Sequence, residues 1–247
     1  MMLKIFTPVV NSPEFLNLQV SKFIENLECD FQIIAIDDSN DPVLGDKFRR
    51  LCDKYEGKLY YFLNTNHRVG GPSASHANAI QFALDNIIFK TCSDDIVFLV
   101  DSDCFLMEKF DFVDFMKDKD ICSLMQSRGD VNYLWPGFTF LNMPKIRDLE
   151  PKIRFFPGSF GGELCDTGGE SYNFLTMNNI QPHPVDCVFG GEYKGVELIN
   201  METIMDGKFL HFRGGTIWDG KVNIFNEKIA ILNQILINSQ KPSYGKE

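Results

Sequence analysis

Asp101 and Asp103 stand one residue apart, immediately after the apolar run Ile96-Val97-Phe98-Leu99-Val100. A short β-branched and aromatic run bounded by polar residues reads as a buried strand of an α/β sheet. Such sheets bind ligands just beyond their strand ends. Two carboxylates there supply hard oxygen donors of the kind that Mg²⁺ or Mn²⁺ takes. An Asp-x-Asp taken alone also reads as solvated loop acids or helix caps, so its surroundings have to decide between the two.

A second acidic strand end lies upstream, where Gln32-Ile33-Ile34-Ala35-Ile36 runs into Asp37-Asp38-Ser39. A carboxylate so placed can accept a hydrogen bond from a ring N–H such as that of uracil or guanine, although the same residues suit a turn or helix start. Arg68 and Gly70-Gly71 lie in a polar loop, where a guanidinium can offset phosphate charge and glycine lets backbone approach a ligand. Glycines beside a proline are equally common in surface loops. Trp135-Pro136-Gly137-Phe138 reads either as a wall for the C–H face of a sugar or as a core anchor.

The elements that must position these residues follow from hydrophobic period and turn chemistry. A first strand covers 3–7, and Ser12-Pro13 supplies an N-cap and first-turn proline for a helix carrying Phe15, Leu18, Phe23 and Leu27. A strand over 32–36, a helix through Phe48 and Leu51, and a strand over 58–63 give the order βαβαβ. Ala79, Ile80, Ala83, Leu84 and Ile87 recur at helical spacing and lead to the strand at 96–100. Strands alternating with helices predict an α/β/α sandwich around a mostly parallel sheet. Beyond Asp103 the pattern shortens to a helix near 111–117, strands near 121–125 and 138–141, a strand at 208–212 and a helix over 222–238. That last helix reads as core packing rather than a membrane foot.

The chain has 247 residues, 44% of them hydrophobic and 23% charged, which suits one globular unit without a linker or repeat. Its net charge of −10 disfavours a nonspecific nucleic-acid or anionic-membrane binder. No apolar stretch is long enough for a membrane span or signal peptide, so a cytoplasmic chain is expected. The seven cysteines are scattered with no Cys-x-x-Cys pair, which points neither to a zinc site nor to a disulfide framework.

Taken in order, Asp37-Asp38-Ser39, the glycine-containing loop, Asn78 on the following helix and Asp101-Ser102-Asp103 resemble a GT-A glycosyltransferase of the family 2 type. The resemblance covers roughly the first 110 residues, and two later pieces extend it: Cys165-Asp166-Thr167-Gly168-Gly169-Glu170 and His211-Phe212-Arg213-Gly214-Gly215. It implies a Rossmann-like fold in which 1–110 is the nucleotide-sugar half and 111–247 the acceptor half of one catalytic domain. It implies that Thr7 and Asp38, with Asp37 nearby, hold base and ribose, and that Arg68 and Asn78 lie along the nucleotide. Asp103 would bind a divalent metal directly, Asp101 would reach ribose or metal through water, and His211 would complete the metal site. Arg213 would contact the diphosphate, and His211 with Trp218 is similar to a C-terminal pattern of some retaining members. Asp166 or Glu170 would be the general base of an inverting reaction. The family usually shows Glu-Asp there; Asp166 can instead cap a helix beginning near Glu170, and the stereochemistry stays open.

The activity so implied is transfer of a sugar from a nucleotide-sugar, UDP-linked by default and GDP-linked as second choice, to a hydroxyl of a carbohydrate or glycan acceptor, assisted by Mn²⁺ or Mg²⁺. One rival is a Mg²⁺-dependent phosphohydrolase with Asp101 as nucleophile and Asp103 as general acid. Such enzymes usually carry the motif on their first strand. The other rival is a carbohydrate-binding protein that keeps the fold without turnover.

Overall fold

The computed structural model describes residues 1–39, 42–64, 72–214 and 222–240. β1 (Leu3–Val9), β2 (Phe31–Asp37), β3 (Leu59–Leu63) and β4 (Ile96–Val100) form where the alternating pattern places them, joined by α1 (Pro13–Asn26), α2 (Pro42–Lys54) and α3 (Pro72–Ala83). α3 continues through a π-helical stretch, Leu84–Ile88, into α4 (Phe89–Thr91). Then come β5 (Cys104–Leu106), α5 (Phe112–Met116), β6 (Ile121–Arg128), β7 (Val131–Asn142) and α6 (Met143–Ile146). A small hairpin, β8 (Gly158–Phe160) and β9 (Glu163–Cys165), precedes α7 (Ser171–Met177). Short strands follow: β10 (His183–Pro184), β11 (Cys187–Phe189), β12 (Glu192–Tyr193), β13 (Val196–Glu197), β14 (Glu202–Ile204) and β15 (Phe209–His211). The last described element is α8 (Val222–Gln240).

Seven strands build the central sheet in the order β10-β6-β7-β4-β1-β2-β3. All neighbours pair in parallel except β7, which runs against both β4 and β6. The sheet is therefore mostly parallel, as expected, but the stretches read as separate strands at 121–125 and 138–141 are arms of one long hairpin. Parity along each strand assigns the layers. Leu3, Ile5, Ile33, Ile96 and Phe98 face α1, α2 and α5, whereas Phe6, Ile34, Val97 and Leu99 face α3, α6 and α7. Burial on both faces is why β4 is apolar at every position. Phe98 pairs across strands with Phe140, their rings stacked at 3.9 Å, and contacts Phe138 and Phe209. This aromatic block anchors β4 just before the acidic turn, and an alanine at 98 would cost about 3–5 kcal/mol.

A second, antiparallel sheet has the order β11-β14-β15-β5. β5 leaves the acidic turn and pairs with β15, so that Cys104 lies opposite His211. α8 packs Leu232 and Ile235 against Phe15, Phe105, Leu210 and Phe212, which is the core role expected of it. No helix among the described residues is long and apolar enough to cross a membrane.

Candidate active site

The turn carrying Asp101 and Asp103 is held from several sides. Asp101 N–H donates to Gly137 O on β7 (3.0 Å), and Asp101 O accepts Cys104 N–H (3.0 Å). Phe212 N–H donates to Asp103 O (2.9 Å), tying the turn to the end of β15. Gln19, fully buried on α1, donates Nε2 to Asp101 O (2.8 Å) and Cys104 O (3.0 Å). Gly137 admits this arrangement because a Cβ there would lie 2.3 Å from Trp135 Cζ2 and 2.7 Å from Asp101 Oδ2. Any larger residue would push the indole or the carboxylate aside.

Those constraints put Asp103 and His211 together. His211 Nε2 lies 3.4 Å from Asp103 Oδ1, and Nδ1 lies 2.8 Å from Glu202 Oε2. Both His211 and Asp103 are buried. Burial alone would lower the imidazole pKa, but Asp103 and Glu202, with Asp101 behind them, raise it to about 9. Glu202 also pairs with Arg213 (3.2 Å), and the Trp135 ring centre is 5.2 Å from that of His211.

A cleft of about 290 Å³ opens over this corner, lined by Asp38, Asp101, Asp103, Trp135 and Asp166 among others. Its lining also includes His76, which the sequence reading did not single out. His76 Nε2 lies 2.9 Å from Asp101 Oδ1, close enough to form an ion pair but off the hydrogen-bond axis. Burial opposes its protonation, yet Asp101, then Asp103 and Asp166, outweigh that and raise its pKa. The available signal was positional: His76 sits in the first turns of the helix that follows β3, where helix N-termini face the ligand edge of such sheets.

The other expected residues divide. Asp38 lines the cleft, accepting from Asn64 Nδ2 (3.0 Å) and from Ser75 Oγ. Asp37 turns away, accepting Ser39 N–H (2.8 Å), Ser39 Oγ and Tyr61 OH (2.7 Å). Burial and then Asp37 push the Tyr61 phenol above its usual range. Consecutive residues at a strand end point to opposite faces, so only one of the acidic pair reaches the cleft. Thr7 is fully buried on the face of β1 that carries Leu3 and Ile5, while Pro8 and Val10 line the cleft. Asn78 lies outside the lining, two residues and about 200° round α3 from His76.

Asp166 lines the cleft in a turn held by Gly168, at φ +99°, where a Cβ would lie 2.0 Å from Leu134 O. Its Oδ1 accepts Thr167 N–H (2.7 Å) rather than capping α7. Glu170 pairs with Arg154 (3.2 Å), outside the cleft lining. Arg213 likewise lies outside it, its guanidinium above the Phe189 ring (5.2 Å) and against Glu202. Arg68, Gly70, Gly71, Gly215 and Trp218 lie outside the described residues. Lys228 of α8 emerges only in three dimensions: buried, it donates Nζ to Arg213 O, and burial lowers its pKa to about 8.

The donor set suits a hard divalent ion. Single ligand atoms of Asp103, Cys104 and His211 lie within 4.8 Å of one another. Burial holds the Cys104 thiol protonated well above its ordinary range, and sulfur is a poor partner for Mg²⁺ or Mn²⁺. Oxygen from Asp103 and nitrogen from His211, with Asp101 in the same cleft, are the ligands that remain.

No protein-family sequence model matches the chain, and no curated protein sequence matches it. Solved structures do. The mannosyltransferase PcManGT from Pyrobaculum calidifontis, in complex with GDP-Man and Mn²⁺, aligns over 74% of this chain and 54% of its own at 12% identity, with a TM-score of 0.50. TarS of S. aureus aligns over 63% of this chain and 30% of its own at 19% identity and a TM-score of 0.42. The chain thus spans about half the length of PcManGT and under a third of TarS. The mostly parallel sheet with its flanking helix layers is the GT-A fold.

Proposed function

We propose that this protein is a metal-dependent glycosyltransferase that moves a sugar from a nucleotide-sugar to an acceptor hydroxyl. The observation that carries the reading is the 3.4 Å apposition of Asp103 and His211, with Asp101 beside them, in a cleft at the strand-end edge of a GT-A sheet. In this reading Asp103 and His211 hold Mn²⁺ or Mg²⁺, with Asp101 beside it. When bound, the ion neutralises the negative charge that grows on the departing nucleoside diphosphate. Asp38 receives the nucleotide, since its carboxylate is set in the cleft by Asn64 and Ser75. His76 lies against Asp101 on the cleft wall, and the acidic neighbours that raise its pKa favour the charged form, which suits an anionic donor there. Asp166 takes the acceptor proton in this reading, supported over Glu170 because it lines the cleft while Glu170 pairs with Arg154.

UDP-sugar is the first choice of donor. GDP-sugar is the second, supported by the GDP-Man complex of PcManGT. The acceptor is a carbohydrate, for which Trp135 on the cleft wall offers an apolar face. Residues 1–110 form the donor half of the catalytic unit and the later residues the acceptor half. Seven free thiols support a reducing, cytoplasmic setting.

The test is thermal unfolding with nucleoside diphosphates in the presence and absence of Mn²⁺. UDP or GDP should raise the midpoint only with metal, and Asp103→Ala should abolish the shift. Sugar binding that ignores both nucleotide and metal, with no turnover, would instead identify a non-catalytic carbohydrate-binding protein.

A further inference from the structure

We propose that Glu202 is a positioning residue that sets the tautomer and orientation of His211, so that Nε2 is presented to a divalent cation beside Asp103. This rests on the metal reading above.

Glu202 and His211 are direct partners in the antiparallel pairing of β14 with β15, so their side chains leave the sheet on the same face. Oε2 lies 2.8 Å from His211 Nδ1, and Oε1 lies 3.2 Å from Arg213 Nη1. The Cys187 thiol is a further donor to the same carboxylate. A carboxylate whose side chain is only 14% exposed is costly unless paired, and here both oxygens have donors.

A neutral imidazole carries its proton on one nitrogen and offers a lone pair on the other. An ionised carboxylate only accepts, so at Nδ1 it selects the N–H form and leaves the Nε2 lone pair on the side of Asp103 Oδ1. The Trp135 ring, centred 5.2 Å away, packs against the imidazole beside this bond. Metal-binding histidines generally owe their orientation to such an outer carboxylate.

Glutamine is the informative replacement because it keeps the shape and loses one acceptor. Its amide has a donor end and an acceptor end, whereas Arg213 and His211 both present donors to Glu202. If the NH₂ faces Arg213, the guanidinium loses its partner and crowds it. If it faces His211, Nδ1 has to accept, and the proton moves to Nε2, the nitrogen needed for the ion.

The experiment measures Mn²⁺ affinity of the nucleotide-free protein from the electron paramagnetic resonance signal of free Mn²⁺. Glu202→Gln should weaken binding about 10- to 100-fold. In a His211→Ala background the same change should have an effect within about twofold, because the pathway it acts through is gone. A wild-type measurement guards against a variant that does not fold: the ¹⁵N spectrum of Mg²⁺-loaded protein should show His211 protonated at Nδ1. Wild-type affinity retained in Glu202→Gln, an equal loss in the His211→Ala background, or a proton found on Nε2 would each overturn the inference while leaving the metal reading intact. A wild-type protein that binds no Mn²⁺ overturns both.

Discussion

Gln19 bridges the carbonyl oxygens of Asp101 and Cys104 with a single buried amide nitrogen, at 2.8 and 3.0 Å, and so braces from α1 the turn that aims both candidate metal carboxylates. Its Oε1 has no hydrogen-bond partner among the described residues. Leaving that oxygen unsatisfied makes the residue expensive to keep for packing alone.

Gln19→Leu should therefore destabilise the protein by about 1–3 kcal/mol, the cost of removing a buried donor from both carbonyls, although Asp101 O keeps Cys104 N–H. Urea unfolding of the metal-free protein measures it. Mn²⁺ affinity should fall as the turn loosens, and unchanged stability and affinity would show that the brace is dispensable.

His211 gives a pH prediction whose sign follows from its folded pKa of about 9, above the ordinary histidine value. The protonated ring stabilises the metal-free fold fully below about pH 6.5, and the contribution, of order 3 kcal/mol at most, is lost as pH rises through about 9. His211→Phe should remove this part of the pH dependence in denaturation curves. Because a bound metal must displace the proton, wild-type Mn²⁺ affinity should rise about tenfold per pH unit below that value.

Gly137→Ala tests the close approach at the turn. The new methyl would meet the Trp135 indole and Asp101 at distances no real contact shows. Overpacking of this kind costs about 1–3 kcal/mol. Trp135 should move, and a change in tryptophan fluorescence together with weaker Mn²⁺ binding would report it.

His76 pairs directly with Asp101 at 2.9 Å, whereas Asp103 acts on it only as a second, weaker charge. His76→Gln should thus reduce kcat/KM for the nucleotide-sugar about 10- to 100-fold, the scale of a charged contact. Metal affinity without nucleotide should change little. Equal losses in both measurements would place His76 in the metal site instead.

The two acids near α7 separate by their surroundings. Asp166→Asn should lower kcat about 10²- to 10⁴-fold, the usual contribution of a positioned base. Glu170→Gln, which removes only a pairing with Arg154, should stay within a few-fold of wild type. Steady-state kinetics with matched Mn²⁺ distinguishes the two, and a fully active Asp166→Asn would exclude a base at this position.

The order of strands and helices up to Asp103, the buried β4, the acidic turn at its end and the histidine at the end of β15 were all legible in the residues. Each rests on local period, propensity and the placement of polar residues where a strand stops, which neighbouring residues dictate to one another. Asp37 against Asp38, and Asp166 against Glu170, could not be separated that way, because the distinction depends on which sheet face or loop surface borders the cleft. Glu202, Gln19 and Lys228 carried no local signal, and His76 carried only its place in the first turns of α3. Their roles come from pairings between distant segments: β14 with β15, α1 beneath the turn, α3 over Asp101 and α8 against Arg213. Such contacts exist only after the layers pack, since it is side-chain volume and register across the whole sheet that bring these polar groups within bonding distance.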